Sequence, residues 1–131
     1  MNEITRINHV GLRVSDLETT RRFYEQLGFV FIVGPVGPEP VAIMEHPSGI
    51  NINFILNGLS NTPYNILMDQ PEKHTGYTHI ALEVTNLNRV QEQLNALNIP
   101  LSGGPVTVPN GATLLFIRDP DNNVIEFHQP A

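Results

Sequence analysis

The chain has 131 residues, of which 40% are hydrophobic and 15% are charged, as expected of one ordinary globular domain rather than a disordered or fibrous chain. Its net charge of −6 disfavours nucleic acid as a partner, since that binding depends on Lys and Arg side chains that neutralise phosphates. The absence of cysteine excludes disulfides, thiolate metal sites and thiol nucleophiles. No stretch is apolar enough for a signal peptide or a membrane span, so we expect a cytoplasmic protein.

Alternation of apolar and polar residues from Arg6 to Val14 predicts a half-buried strand that carries His9 on its mixed side. Ser15 and Glu18 have the spacing of a capping box, which satisfies the first free amide groups of a helix. An apolar stripe follows, and Gly28 is placed to end this helix in the left-handed conformation.

Three more strands, joined by turns, complete this first segment of the chain. We expect them at residues 29–33, 41–46 and 50–56, with a Gly- and Pro-rich break at 34–40. Residues 58–76 are polar and irregular and form a linker, in which residues 65–69 can form a short helix.

The pattern of residues 7–29 returns in residues 77–99 at a constant offset of 70 residues, so that His79 corresponds to His9. The elements of this second copy are a strand at 78–84, a helix capped by Thr85 or Asn86 and ending near Leu97, and strands at 101–108, 112–118 and 123–129. Two such modules, packed about a pseudo-twofold axis, place the two histidines in equivalent positions. We therefore divide a single domain, residues 1–131, into module 1 (about 5–57), the linker (58–76) and module 2 (about 77–129).

The last strands of the two modules also correspond, and Asn53 aligns with Glu126. Each of these residues lies between two large apolar residues, so alternation places it on the side of the strand opposite the apolar packing. Four positions, two from each module, are expected to converge: His9, Asn53, His79 and Glu126. Such a convergence makes them a candidate metal site.

Four segments carry a resemblance to a known family: residues 8–18 (NHVGLRVSDLE), 23–29 (FYEQLGF), 76–81 (GYTHIA) and 119–126 (DPDNNVIE). With these motifs in this order over nearly the whole chain, the sequence resembles the vicinal oxygen chelate superfamily, which includes glyoxalase I, extradiol dioxygenases and bleomycin resistance proteins. The resemblance implies an α+β fold, in which two tandem βαβββ modules form a curved eight-stranded mixed sheet shaped as a cup. It also implies a divalent metal ion in the cup and a homodimer with the site near the interface.

The resemblance implies that His9, His79 and Glu126 hold the metal ion and that Glu126 is also the catalytic acid-base group. Two histidines and one carboxylate suit Fe, Ni, Mn, Co or Zn as divalent ions and leave positions open for substrate. Asn53 stands at the fourth ligand position, where glyoxalase I has a glutamate. An amide cannot take up a proton at neutral pH, so Asn53 is a doubtful ligand and no base.

Arg13 and Asn57 stand where glyoxalase I holds the glutathione part of its substrate, and the resemblance implies that they bind substrate here. From the residues alone two alternatives stay open, since Arg13 can pair with a surface acid such as Glu83 and Asn57 can belong to a turn. His128 shares a strand face with Glu126, where it either reaches the cup or ends the strand at the surface.

The first functional hypothesis is a metal-dependent lyase or isomerase of the glyoxalase I (lactoylglutathione lyase) type. Such an enzyme isomerises a small chelating oxygen substrate, with glutathione as part of it, through a metal-stabilised enediolate. The alternative is an Fe(II) extradiol-type dioxygenase, because two histidines and one carboxylate also suit that chemistry. A third hypothesis is a binding protein of the bleomycin resistance kind, which sequesters a small molecule without catalysis.

Overall fold

The computed structural model describes residues 1–131 and contains two helices and eight strands. In chain order these are β1 (Val10–Arg13), α1 (Leu17–Gln26), β2 (Val30–Val36), β3 (Val41–Glu45), β4 (Asn51–Ile55), β5 (His79–Glu83), α2 (Leu87–Ala96), β6 (Leu101–Thr107), β7 (Thr113–Arg118) and β8 (Val124–Gln129). The chain divides into two compact units, Met1–Asn61 and Thr62–Ala131, and each contains one βαβββ module. The predicted α+β fold of two tandem modules is confirmed. Neither helix has the length and apolar character needed to cross a membrane.

Each module forms a four-stranded mixed sheet. In the first unit the strand order is β1-β4-β3-β2, with β1 parallel to β4 and the other pairs antiparallel. The second unit repeats this arrangement as β5-β8-β7-β6. A tight turn cannot join two parallel strands, so the chain passes through a helix and a hairpin before it returns beside its first strand. As a result, the first and last strands of each module lie side by side.

In the first unit, α1 covers one face of the sheet, and alternation decides which residues lie beneath it. Ile52 and Phe54 in β4 are 1% and 0% exposed, whereas Asn53 between them points to the opposite face. The ring of Tyr24 in α1 lies 4.7 Å from that of Phe54 and 5.7 Å from that of Phe29. Burial of each such aromatic side chain contributes about 2–3 kcal/mol, which fixes the helix on this face.

Both helices begin at a side chain that accepts a backbone amide hydrogen. Asp16 is the N-cap of α1, and its carboxylate accepts a hydrogen bond of 2.8 Å from the backbone N–H of Thr19. The capping box predicted at Ser15 is therefore wrong by one residue, because the extended backbone of Asp16 brings its carboxylate within reach of the amide three residues on. This hydrogen bond from Thr19 also lowers the pKa of Asp16. Asn86 caps α2 in the same way, and Gly28 follows α1 with φ +92°, both as predicted.

Strand β2 continues through a segment that the sequence predicts as a break. It includes Gly34 and Pro35 and ends at Val36, and β6 likewise includes Gly104 and Pro105. Both strands change register against their antiparallel neighbours at this point. Irregular pairing accommodates the proline, which cannot donate a ladder hydrogen bond. The break is therefore confined to the turn that follows β2.

From Thr62 onward, the linker belongs to the second unit. The short helix considered for residues 65–69 is absent, and a single turn takes its place, in which the side-chain oxygen of Asn65 accepts the backbone N–H groups two and three residues on. Arg118 of β7 anchors this turn through two bonds of 2.8 Å to the carboxylate of Asp69. The hydrogen bonds from Arg118, followed by one from the backbone of Asn65, lower the pKa of Asp69 to about 2.

Candidate functional site

Two of the residues predicted to hold a metal lie side by side in the second unit. His79 is the first residue of β5, and Glu126 lies within β8, the strand that pairs with β5. The Nε2 atom of His79 is 2.9 Å from Oε2 of Glu126. The other ring nitrogen of His79, Nδ1, is 2.8 Å from the hydroxyl oxygen of Thr78. The parallel pairing of the first and last strands therefore brings an imidazole and a carboxylate into direct contact.

A second imidazole lies against the same carboxylate. The Nδ1 atom of His128 is 2.8 Å from Oε1 of Glu126. The two residues share a face of β8 because they are two positions apart, and the opposite face carries Ile125 and Phe127, which are buried in the core. Each carboxylate oxygen of Glu126 thus has an imidazole nitrogen of its own.

Glu126 is buried, with a side chain only 9% exposed. Its partners in register are Ala81 of β5 and Phe116 of β7, and the ring of Phe116 lies 6.0 Å from that of His79. Removing an ionised carboxylate from water costs several kcal/mol, and hydrogen bonds from two imidazoles offset only part of that cost. A divalent cation beside the carboxylate would offset the remainder. A buried carboxylate oxygen next to an imidazole nitrogen is thus a donor pair that fits such a metal.

Neither unit by itself contains three or more His, Asp or Glu side chains arranged to hold a metal ion. His9 and Asn53, the other predicted ligand positions, belong to the first unit. A surface depression of about 530 Å³ lies between α2 and the start of β6, where Leu94 and Ile99 are among its lining residues. This depression is on the helix side of the second unit, whereas Glu126 lies on the other face of the sheet, so it is not part of the candidate site.

Asn53 occupies the same register position in the first sheet as Glu126 in the second. It pairs with Gly11 of β1 and Ile43 of β3, and these pairs match those of Glu126 with β5 and β7. The correspondence between Asn53 and Glu126 that the sequence suggests is thus present in the hydrogen-bonding register. The first sheet carries an amide at the position where the second carries a carboxylate.

His9 lies one residue before β1 and not within the strand that the sequence predicts from Arg6. Pairing with β4 begins only at Val10, opposite Ile52, so His9 has no partner in the ladder. Its side chain is exposed, and its Nδ1 atom lies 2.9 Å from the side-chain oxygen of Asn8.

Arg13 and Asn57, predicted to bind substrate, form a cluster with Glu39, which the sequence did not indicate. Arg13 donates from Nε to the side-chain oxygen of Asn57 at 3.0 Å and from Nη2 to Oε1 of Glu39 at 3.1 Å. Asn57 donates to the same oxygen of Glu39 at 3.2 Å. The hydrogen bonds from Asn57 and then from Arg13 lower the pKa of Glu39. The acid that pairs with Arg13 is therefore Glu39 and not Glu83.

Comparisons with known proteins extend these observations. The family model described as Glyoxalase/Bleomycin resistance protein/Dioxygenase superfamily matches residues 6–127, nearly the whole chain. The chain belongs to this superfamily. The glyoxalase superfamily match covers both modules, in agreement with the two equivalent sheets.

Relatives within the glyoxalase superfamily include enzymes of two kinds. The chain is 32% identical over 128 residues to a lactoylglutathione lyase of Haemophilus influenzae, which covers 92% of this chain and 90% of the relative. It is 29% identical over 128 residues to the mitochondrial methylmalonyl-CoA epimerase of Bos taurus, covering 88% and 68% of the two chains. The crystal structure of a glyoxalase/dioxygenase from Nostoc punctiforme has the same fold, with a TM-score of 0.76 at 21% identity over 99% of this chain and 94% of that one. Superfamily members similar to this chain thus include lyases and epimerases.

Proposed function

We propose that the protein is a divalent-metal-dependent isomerase or lyase of the glyoxalase I type, acting on a small substrate with two chelating oxygens. The observation that carries this proposal is the buried carboxylate of Glu126, with Nε2 of His79 at 2.9 Å. In the proposed site His9, His79 and Glu126 hold Fe, Ni, Mn, Co or Zn, and Asn53 stands at the fourth ligand position. When bound, the metal supplies Lewis-acid stabilisation of negative charge on a substrate oxygen.

Glu126 is the residue that moves the proton. Its carboxylate takes a proton from a hydroxyl-bearing substrate carbon next to a carbonyl group and returns it to the carbonyl carbon, while the hydroxyl proton passes to the former carbonyl oxygen, so that the substrate is isomerised without gain or loss of atoms. Asn53 cannot share this role, because its amide has no basic site at neutral pH. A single carboxylate therefore performs both transfers, where the glyoxalase I resemblance implies two.

Arg13 and Asn57 are proposed to hold an anionic part of the substrate, such as a carboxylate of glutathione. The support is Glu39, whose carboxylate oxygen already accepts hydrogen bonds from both side chains. Arg13 and Glu39 are 59% and 54% exposed, and ion pairs of that exposure are weak. A substrate carboxylate can therefore displace Glu39 and take over both donors.

The test begins with protein purified without a histidine tag and loaded with Ni(II), Co(II) or Zn(II). We expect stoichiometric metal by elemental analysis and turnover of a 2-oxoaldehyde-glutathione adduct, both lost in Glu126→Gln and both kept in Glu92→Gln, an exposed carboxylate of the same unit. Bound metal without turnover of this adduct would contradict the isomerase. Oxygen uptake with Fe(II) and a catechol would then favour the dioxygenase alternative.

The superfamily resemblance also implies a homodimer, and the sequence pattern leads us to expect a cytoplasmic location; both remain predictions. Light scattering of the purified protein measures the mass of the particle and tests the first. Fractionation of cells that produce the protein tests the second.

A further inference from the structure

The two oxygens of Glu126 have different partners. Oε2 lies 2.9 Å from Nε2 of His79, which is itself a proposed metal ligand. Oε1 lies 2.8 Å from Nδ1 of His128, which has no role in the proposed function. An ionised carboxylate can only accept hydrogen bonds, so each ring nitrogen that faces it carries the hydrogen.

The fold does not require a histidine at position 128. Register pairing makes Ile55 its counterpart in the first module, because Ile55 pairs with the last residue of β1 as His128 pairs with the last residue of β5. An aliphatic side chain therefore occupies the same position in an equivalent sheet. The imidazole occurs only in the module whose neighbouring position is a carboxylate, and there it bonds directly to that carboxylate.

We propose that His128 is a positioning residue, which fixes Glu126 through Oε1 and leaves Oε2, the oxygen beside His79, for the metal ion. This inference rests on the proposed function, since it assumes that Glu126 is a metal ligand. A hydrogen bond to the oxygen that is not coordinated holds the carboxylate in one orientation before the metal arrives. The Glu126 side chain is then ordered before the metal binds. Because binding costs less conformational entropy, the affinity for metal is higher.

His79 can change its role without disturbing this arrangement. In the structure, Nε2 of His79 donates to Glu126 while Nδ1 faces the hydroxyl of Thr78 at 2.8 Å. A metal at Nε2 requires the proton to reside on Nδ1, and a hydroxyl group can accept from that nitrogen as readily as it donates to it. His128 takes no part in this exchange, because its Nδ1 atom faces Oε1 and not Oε2.

The experiment measures Co(II) binding to four proteins: the wild type, His128→Ile, His128→Asn and His74→Leu. His128→Ile copies the residue of the first module and removes the donor, whereas the amide nitrogen of asparagine can replace Nδ1 as a donor to Oε1. His74→Leu removes an exposed histidine of the same unit and is the matched control. The readouts are the dissociation constant and the visible absorption spectrum of bound Co(II), with circular dichroism to establish folding.

We expect Co(II) to bind about 10–100-fold more weakly to His128→Ile, within a few-fold of wild type to His128→Asn, and unchanged to His74→Leu. Unchanged affinity in His128→Ile overturns the inference while the proposed function stands. Equal losses in the isoleucine and asparagine variants also overturn it, because they show His128 to be a ligand. If the wild type binds no Co(II), the proposed function fails and the inference fails with it. Should His128→Ile not fold, His128→Phe removes the donor and keeps a ring.

Discussion

Replacement of Glu126 by glutamine tests the metal site through stability, without any substrate. Glutamine has nearly the same shape, but one carboxylate oxygen becomes an amide nitrogen that donates hydrogen instead of accepting it. Glu126 accepts from His79 at 2.9 Å and from His128 at 2.8 Å, so one of the two imidazoles faces a donor in the variant. That imidazole keeps its hydrogen bond only if it changes tautomer and accepts from the amide, and otherwise it is left to water.

In the metal-free protein two effects oppose each other. Loss of one hydrogen bond to a charged acceptor costs about 1.5–3 kcal/mol. Removal of a buried negative charge stabilises the folded state by a similar free energy, since the carboxylate of Glu126 is only 9% exposed and its desolvation is unfavourable. The imidazoles of His79 and His128 are 34% and 33% exposed, so water can solvate the one that loses its acceptor. We expect a net change in the free energy of unfolding within about 1 kcal/mol.

Added metal is expected to stabilise the wild type much more than the Glu126→Gln variant. An ion that binds only the folded state stabilises it by about 2.7 kcal/mol at a free concentration one hundred times the dissociation constant. For a chain of this size that gain corresponds to a rise of about 10 °C in Tm. We expect this rise in the wild type and little or none in Glu126→Gln at the same Ni(II) concentration, as measured by circular dichroism. An equal rise in both proteins would refute the reasoning, because Glu126 would then not be a ligand.

Three further variants test other parts of the structure. Glu39→Gln removes the carboxylate that competes for Arg13, so KM for an anionic substrate should fall roughly twofold to fivefold, in keeping with the weakness of exposed ion pairs. Arg118→Met removes the group that depresses the pKa of Asp69; the wild type should exceed it in stability above about pH 4, and this advantage should vanish as the pH falls through 2. Gly34→Ala should cost about 3 kcal/mol or more in unfolding free energy, because φ is +139° and the new Cβ would lie 2.5 Å from a backbone carbon.

Two of these variants have a matched control variant, and the third is checked by its pH dependence. Glu45→Gln removes another exposed acid of the first unit and should leave KM unchanged; an equal fall in KM would mean that net charge, not the release of Arg13, is responsible. A difference between Arg118→Met and wild type that stays constant from pH 7 to 2 would rule out Asp69 as the titrating partner. Gly49→Ala, also at positive φ but with no atom within 4 Å, should cost only about 1 kcal/mol in chemical denaturation, and a similar cost at both glycines would exclude the steric argument.

Most of the architecture follows from local signals that agree with each other. Alternation in β4 and β8 assigned a face to Asn53 and to Glu126, and the buried residues on either side of each confirm that assignment. The repeat at an offset of 70 residues showed that two equivalent modules exist, because each local pattern occurs twice. Register pairing then follows from the fold itself, since the first and last strands of a module must lie side by side.

Two predictions were wrong because the sequence allows two local structures at the same place. Ser15 and Asp16 are both good N-cap residues, and the choice depends on backbone angles that the sequence does not specify. Gly34 and Pro35 are strong turn formers, yet an irregular register lets a strand include them. The repeat indicates that this pair has a structural role, because the same Gly-Pro pair recurs 70 residues later within another strand.

Glu39 was missed for a different reason. It lies in a turn between β2 and β3, and its contact with Arg13 joins residues that are 26 positions apart. Periodicity reports which side of an element a residue faces, but it does not report which loop folds over the end of a strand. Contacts of this kind depend on the length and path of a turn, and only the three-dimensional structure gives them.

The two modules share a backbone but differ in their chemistry. At equivalent register positions the first sheet has Asn53 and Ile55, and the second has Glu126 and His128. The first pair can neither accept nor donate a proton at neutral pH, whereas the second pair can do both. Duplication therefore supplied two copies of one geometry, and the residues that can transfer protons are concentrated on β8. In the proposed function the first module contributes its histidine and its anion-binding arginine, and the acid-base chemistry belongs to the second module alone.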